Sequence, residues 1–414
     1  VRYKVVIIGA GPGGTYTALS LAKLGVSCLL IDKSTFPRTK ACGDILTSNV
    51  LRALHGLDEG MVSDLLAQPW VLPLQTTSFV SPLGDQVVMP FHSPSNSEKG
   101  LPSCLSAPRQ EFDFFLLEHA KRNPLVEVKE GVWVKAIRPS EGGYSIEVED
   151  GKFEAEYVVL ACGGNSRLVK ELLPGHEITP QHTAVGYRMY FQGVESSGAG
   201  QSEFYLFDEG KMPGGLYLTP FSGGLVNLNL VMRYDVYTQH REPLPQLMER
   251  YIQAQPKLAG RFVNAVALEG GEGSTLFFGT KQRPLSGEGL LLVGDAAGLT
   301  DATNANGIGH AMLSGGIAAT TILEAMTAGE RSGKWMKRYD KRVKKRLANA
   351  LFPGKVMQVL FGNRWLKPMA NRILVGSFKR LNQQAIGELV YSSHAALTLV
   401  NPRFYIRLFS KGKS

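Results

Sequence analysis

A short apolar run, Tyr3-Lys4-Val5-Val6-Ile7-Ile8, leads directly into Gly9-Ala10-Gly11-Pro12-Gly13-Gly14, and this junction limits the fold more than any other stretch of the chain. Thr15 to Leu24 reads as a helix, and Ser27 to Ile31 as a second buried strand that ends on Asp32. Strand, glycine turn, helix and strand within about 30 residues make a βαβ unit. In such a unit the first glycine permits the tight turn. The second lets the backbone approach a pyrophosphate, and the third lets helix and strand pack closely. The helix N-terminus then offers unpaired N–H groups and the positive end of its dipole to phosphate. Asp32, 18 residues beyond Gly14, stands where an acceptor for ribose hydroxyls is needed. A turn without a ligand would need these glycines for packing alone, so the pattern predicts a bound dinucleotide.

A second junction lies nearly three hundred residues later. Residues 289–293 (GLLLV) read as a buried strand and run into Gly294-Asp295-Ala296-Ala297. An aspartate there can bond the hydroxyls of an extended cofactor, and the small alanines let a helix come close. Gly307-Ile308-Gly309 then opens an apolar, alanine-rich helix that runs to Met326. The N-terminus of that helix suits a ring on which negative charge gathers. A nicotinamide dehydrogenase does not need this second element; a flavin enzyme does.

The intervening sequence alternates between these themes. Residues 111–122 (EFDFFLLEHAKR) form an amphipathic helical pattern, alternating strands follow to the glycine pair at 163–164, and residues 183–233 are again strand-rich. A chain of 414 residues has room for two domains. With no repeat and no low-complexity linker, the two are read as interleaved. Segments 1–70, 109–170 and 281–330 are assigned to the cofactor domain, 71–108 and 171–280 to a substrate domain, and 331–414 to a basic helical region. The expected fold class is α/β: a Rossmann-like domain interleaved with a mixed β-sheet substrate domain, followed by a helical C-terminal tail.

Charge separates that tail from the rest. Residues 331–414 hold 19 Lys and Arg against 2 Asp and Glu, whereas the whole chain has a net charge of +9. Trp335, Met336, Phe352, Phe361 and Trp365 lie among those cations. The mixture suits an interfacial helix on an anionic membrane; the alternative is a solvated helical face. No nucleic-acid-binding signature accompanies the charge, and nucleic acid is not expected as a partner. Apolar runs stop short of the roughly 18 residues that span a bilayer. The N-terminal residues open into a strand without a signal-peptide pattern. The four cysteines (Cys28, Cys42, Cys104, Cys162) are scattered, with no disulfide or metal-ligand spacing. A reducing, cytoplasmic setting with possible peripheral membrane attachment is expected, and the eight histidines show no metal pattern.

The order GxGPGG, PRxKxCGD, PRQEFDFFLLEHA and LVGDAAG…GIGHAM resembles the flavin-dependent monooxygenase superfamily typified by p-hydroxybenzoate hydroxylase, and within it most closely the geranylgeranyl reductase family. The resemblance covers about residues 3–326. Phe36 to Asp44 (FPRTKACGD) is similar to the reductases' PxxxxCG segment beside the flavin. Gly298 stands where aromatic hydroxylases carry a histidine, and Leu216 to Asn227 is a diverged form of the substrate-side YxWxFP…G…N motif. Leu218 and Thr219 replace its tryptophan and phenylalanine, and Ala161-Cys162-Gly163-Gly164 lacks the aspartate expected after its strand.

The resemblance implies non-covalent FAD, held by Gly9, Gly11, Gly13, Gly14, Asp32, Lys33, Arg38, Cys42, Gly43, Asp44, Arg109, Val134, Cys162, Gly163, Gly294, Asp295, Gly307 and Ile308. It also implies a substrate side that includes Tyr217, Pro220, Phe221 and Asn227. Arg109 opens a helix, and its planar fork suits a phosphate; the other reading pairs it with Glu111 or Asp113. Cys42 is the candidate catalytic residue, as a thiol that donates a proton or positions an alkene, the alternative being a space-filling cysteine. Cys162 and His310 read more readily as structural groups. The reaction implied is reduction of carbon–carbon double bonds in an apolar isoprenoid or polyene by hydride from flavin N5, with electrons from NAD(P)H or a redox protein. The alternatives are a monooxygenase or halogenase on the same fold, and a flavin-holding protein without turnover. WxWxIP, usual in halogenases of this fold, is absent.

Overall fold

The structure is a computed structural model. It describes residues 1–366 apart from 83, 165–166, 177–178, 196–197, 199, 208–213, 269 and 364. Two eight-stranded sheets organise the chain. In the first, Leu290–Leu292, Gly151–Leu160, Arg2–Ile8, Cys28–Ile31 and Val126–Lys129 lie side by side, all parallel. Parallel strands are buried on both faces, and Val5, Val6, Ile7, Leu29, Leu30, Ile31, Val158, Val159 and Leu160 are all fully inaccessible. A meander, Ala136–Ser140 and Gly143–Val148, joins this sheet antiparallel to Gly151–Leu160.

The second sheet runs Val266–Ala267, Thr183–Gln192, Leu225–Arg233, Gly214–Pro220, Gln201–Phe207, Thr76–Val80 and Gln86–Pro90, with Glu272–Phe277 also on Thr183–Gln192. It is antiparallel except where Thr76–Val80 lies parallel to Gln201–Phe207, so it is mixed. A small sheet, Ile45–Thr47, Cys104–Ser106 and Leu72–Pro73, stands where the chain crosses between the two. The chain passes from one sheet to the other repeatedly, as an interleaved α/β fold requires.

The helix after the glycine turn, Pro12–Lys23, has proline at its first position, where the missing N–H costs nothing. It packs against Ile308–Ala328, in which Met312, Ala318, Ala319, Ile322 and Ala325 are fully buried. This second helix corrects one sequence expectation. At 21 residues and mean hydropathy 1.2, it is long and apolar enough to cross a membrane. Its apolarity is accounted for by burial: it is wedged between the first helix and the one that follows it.

That following helix, Gly333–Gly362, is the basic one, capped by the Ser332 hydroxyl. Met336, Tyr339, Val343, Leu347 and Leu351, at helical spacing, face the core. Tyr339 donates to Leu292 O, and Asp340 accepts from Leu285 N at 2.9 Å and Ser286 Oγ at 2.5 Å. The reading of Trp335 and Met336 as free interfacial anchors is therefore revised. Met336 is inaccessible, and Trp335 packs half-buried on the same core beneath Arg338. Trp365 stays 77% exposed. The Phe361 side chain and the tail beyond 366 lie outside the described residues.

Candidate active site

The glycine turn is built as its spacing demands. Gly9 has φ of +106°, and a Cβ on it would stand 2.4 Å from Ala161 O. A Cβ on Gly14 would stand 1.8 Å from Gly9 O, so helix and strand touch through bare backbone. Gly11 is different. A Cβ there meets nothing closer than the Arg38 guanidinium at 3.6 Å, yet Gly11 lines a large cavity. Packing does not explain this glycine, whereas a ligand approaching the backbone does. Asp32, at the end of the next strand, accepts from Ala10 N at 2.7 Å and Ser34 N at 2.8 Å, which fixes the carboxylate beside the turn.

The cavity has about 1520 Å³ of empty volume, counting its open mouth, and lies between the two sheets. Gly11, Gly13, Cys42, Gly43, Asp44, Arg109, Gly163, Gly294, Asp295, Gly307, Ile308 and Tyr217 all line it. Six chain segments far apart in sequence therefore meet at one surface. Gly9, Gly14, Asp32, Arg38, Cys162, Pro220, Phe221 and Asn227 do not line it but stand behind the wall or at the turn. Lys33 is exposed, with its ammonium 5.2 Å from the Trp133 ring, and Val134 is core packing. The N-termini of the Pro12–Lys23 and Ile308–Ala328 helices both reach the cavity, where the first-turn N–H groups of each have no intrahelical partner and suit an anionic group. A bare backbone cradle, two helix N-termini and the Asp295 carboxylate fit an extended dinucleotide. Asp295 keeps acceptor capacity while taking one bond from Thr300 Oγ1 at 2.9 Å.

Arg109 makes the pairing with Asp113. Its guanidinium binds Asp113 through two bonds of 2.6 Å, and it also lines the cavity beside Cys42. Burial works against the Arg109 cation, but Asp113 and the Cys42 sulfur outweigh that and hold it above arginine's ordinary range. Arg38 shares the same carboxylate at 3.1 Å. Burial pushes the Cys42 thiol up, and Arg109 offsets part of the rise. His310 is buried, its Nδ1 is 2.9 Å from Leu299 O, and burial lowers its pKa, so it is a neutral structural group.

The segment 41–44 is the best-held part of the wall. Thr219 donates to Gly43 O at 2.9 Å and Asn227 to Cys42 O at 2.8 Å. Thr219, a departure from the substrate-side motif, thus substitutes a hydrogen bond for an aromatic ring. Asp44 has φ of +58°, which is uncommon for a non-glycine residue. Its Oδ2 accepts from Tyr190 OH at 2.5 Å and Asn227 Nδ2 at 2.9 Å. Burial raises Asp44 to about 7, despite Tyr190, Arg109, Arg188 and Asn227 acting the other way. Behind it, Arg188 lies 4.1 Å from the Tyr190 ring centroid and pairs with Glu272 at 2.8 Å. Sequence reading missed Tyr190 and Arg188. The available signal was the alternation in Ala184 to Gln192, which places an arginine and a tyrosine on one face of a strand. The remaining wall includes Phe79, Phe91, Phe204 and Leu276, with Phe204 stacked on Tyr217 at 4.0 Å.

Residues 2–351 match the family model described as FAD binding domain. The chain is 28% identical to a digeranylgeranylglycerophospholipid reductase of Thermoplasma volcanium, covering 83% of this chain and 84% of that protein. It is 26% identical to a 1H-pyrrole-2-carbonyl-[peptidyl-carrier protein] brominase of Pseudoalteromonas luteoviolacea, over 79% of each. Among solved structures it is similar to a geranylgeranyl bacteriochlorophyll reductase-like protein from Thermoplasma acidophilum, with TM-score 0.78, 20% identity and 98% of both chains covered.

Proposed function

The chain belongs to the FAD binding domain family and is an FAD-dependent oxidoreductase; from that premise we propose that it reduces carbon–carbon double bonds in an apolar, isoprenoid or polyene substrate. The observation that carries this reading is the make-up of the cavity. Phe79, Phe91, Phe204, Tyr217 and Leu276 give it an apolar lining, and the same space is bordered by a thiol, Cys42, and an acid held near neutrality, Asp44. The reductases among its relatives, whose names specify a digeranylgeranylglycerophospholipid, support the same substrate class.

FAD would be held by the Gly9–Gly14 turn, Asp32, Arg109, Gly294, Asp295, Gly307 and Ile308. Bound and reduced, the cofactor supplies the hydride. The protein's own share is to orient the alkene against the aromatic lining, exclude water, and deliver the balancing proton from Cys42. Arg109, anchored by Asp113, stabilises the sulfur when that proton leaves. Electrons come from an external donor, NAD(P)H or a redox protein.

The basic helix supports work at an anionic lipid surface. Lys334, Lys337, Arg338, Lys341, Lys344, Lys345 and Arg346 are exposed along it. Each basic group near such a surface contributes on the order of 1 kcal/mol. An apolar substrate dissolved in the cytoplasmic leaflet would then reach the cavity without crossing water.

Anaerobic reduction of the bound flavin by NADPH, NADH and dithionite, followed by addition of a polyprenyl substrate, tests the reaction. New C–H bonds with no incorporated oxygen are expected. Labelled oxygen in the product would transfer the case to the oxygen-activating reading, which the similarity to the brominase favours.

A further inference from the structure

Asp44 has a role in the wall that cofactor binding does not explain. Its side chain is fully inaccessible although the residue borders the cavity, so it does not meet bulk water. Oδ2 takes two donors, Tyr190 and Asn227, while Oδ1 is buried with no hydrogen-bond partner. An ionised carboxylate buried with one oxygen unsatisfied is costly, and a carboxylic acid at the same place is much less so. The neighbouring Cys42 sulfur lies at the Asp44 backbone N–H and beside the Arg109 guanidinium. Asn227 bonds both the Cys42 carbonyl and the Asp44 carboxyl, so one side chain sets the two groups relative to each other.

We propose that Asp44 is the proton store of this site: it reloads the Cys42 thiol after that thiol has protonated the substrate. The proposal rests on the reductase reading above. In each turnover the double bond gains a proton on one carbon and the cofactor's hydride on the other. The proton leaves Cys42 Sγ, and the thiolate remains beside Arg109. Asp44 O–H, which has no direct hydrogen bond to Sγ, passes its proton through one intervening water to that thiolate and re-forms S–H. The carboxylate so produced is held by the Tyr190 O–H and the Asn227 N–H, and it regains a proton through the same intervening water once solvent re-enters the cavity. The direction of transfer is downhill, because Asp44 titrates at about 7 while burial holds the thiol above its ordinary value. The groups facing Asp44 are Tyr190 and Asn227 in direct contact, Cys42 and Arg109 on the cavity side, and Arg188 beyond the Tyr190 ring, itself paired with Glu272. Asp44 acts through Cys42 and is therefore a positioning and relay residue.

Infrared titration of the FAD-loaded protein provides a readout independent of turnover. The wild-type-minus-Asp44→Asn spectrum is expected to contain the carbonyl stretch of a protonated carboxylic acid, fading as pH rises through about 7. Tyr190→Phe removes a donor that favours the carboxylate, so its band should persist to higher pH. This second variant keeps the test decisive if Asp44→Asn does not fold. In steady state, Asp44→Asn should lower kcat tenfold or more with little change in KM and lose the neutral inflection of its pH profile; Asp44→Glu should restore that inflection. A difference spectrum without the protonated band, or an unchanged inflection in Asp44→Asn, would overturn the proposal. A wild-type enzyme that shows the band yet reduces no alkene would refute the reductase reading and leave the protonation of Asp44 standing.

Discussion

Gly11→Ala separates what the fold needs from what the ligand needs. Gly11 has φ −69° and ψ 179°, a conformation open to any residue. The added methyl would lie 3.6 Å from the Arg38 guanidinium, an ordinary contact with the end of a flexible side chain. Stability should therefore change by less than about 1 kcal/mol, and loss of glycine's freedom in the unfolded chain adds about 0.4–1 kcal/mol in the variant's favour. Gly14→Ala is the contrast. Its methyl would fall 1.8 Å from Gly9 O and 3.1 Å from Ala161 Cβ, both on or beside rigid backbone. Overpacking of this kind costs about 1–3 kcal/mol and sometimes more. For FAD the ranking reverses in kind. The Gly11 methyl stands on the cavity wall and holds a phosphate away from the N–H groups of the helix start. One charge-assisted hydrogen bond lost is about 1.5–3 kcal/mol, or roughly ten- to hundredfold in Kd. Urea unfolding of the apo-protein together with flavin titration measures both quantities. A Gly11→Ala variant that unfolds like the wild type and binds FAD equally well would refute the assignment of this turn to the pyrophosphate.

Three further outcomes are expected. Asp44 has a folded pKa raised to about 7 from 3.8, so the stability it contributes is full below its unfolded value and is lost as pH rises to 7. Asp44→Asn should gain on the wild type by up to about 4 kcal/mol between acid and neutral pH in parallel urea curves, and a constant gap would show that the carboxyl is not protonated when buried. Cys42→Ser should retain FAD, read from its visible spectrum, and lower turnover at least tenfold; full turnover would return Cys42 to packing. Replacing Lys337, Lys341 and Lys344 by glutamate should release the protein from anionic vesicles at low salt, as high salt should for the wild type, and co-sedimentation equal to wild type would remove the lipid surface from the account.

The two junctions were legible because each imposes its residue types locally. A bare-backbone contact at Gly14 admits only glycine, and a strand that ends at the cavity shows as GLLLV before Gly294. The Asp44 cluster was not legible, although Asp44, Cys42 and Asn227 were all singled out. What joins them to Tyr190 is the register of Thr183–Gln192 on Leu225–Arg233, where Tyr190 faces Asn227, and register is a tertiary fact. The packing of the basic helix was not legible for another reason. Its charge dominates the composition, while the Met336, Val343, Leu347, Leu351 stripe that decides its packing is a matter of spacing. Of the residues carried over by resemblance, Lys33 stands exposed and Val134 packs in the core.

The repeated passage between sheets also governs how the protein is made. Thr76–Val80 pairs at once with Gln86–Pro90, but its other edge stays open until Gln201–Phe207 has been synthesised, about 120 residues later. Arg2–Ile8 waits on one side for Gly151–Leu160, which waits in turn for Leu290–Leu292. At about 5–20 residues per second, the Thr76–Val80 strand stays unpaired at one edge for roughly 6–25 s. Between the synthesis of Thr76–Val80 and that of Gln201–Phe207 the nascent chain therefore holds strands of both sheets with an open edge. The second sheet has all its strands by Phe277 while the first still waits for Leu290–Leu292, so the order of the strands sets which edges stay open as the protein is made.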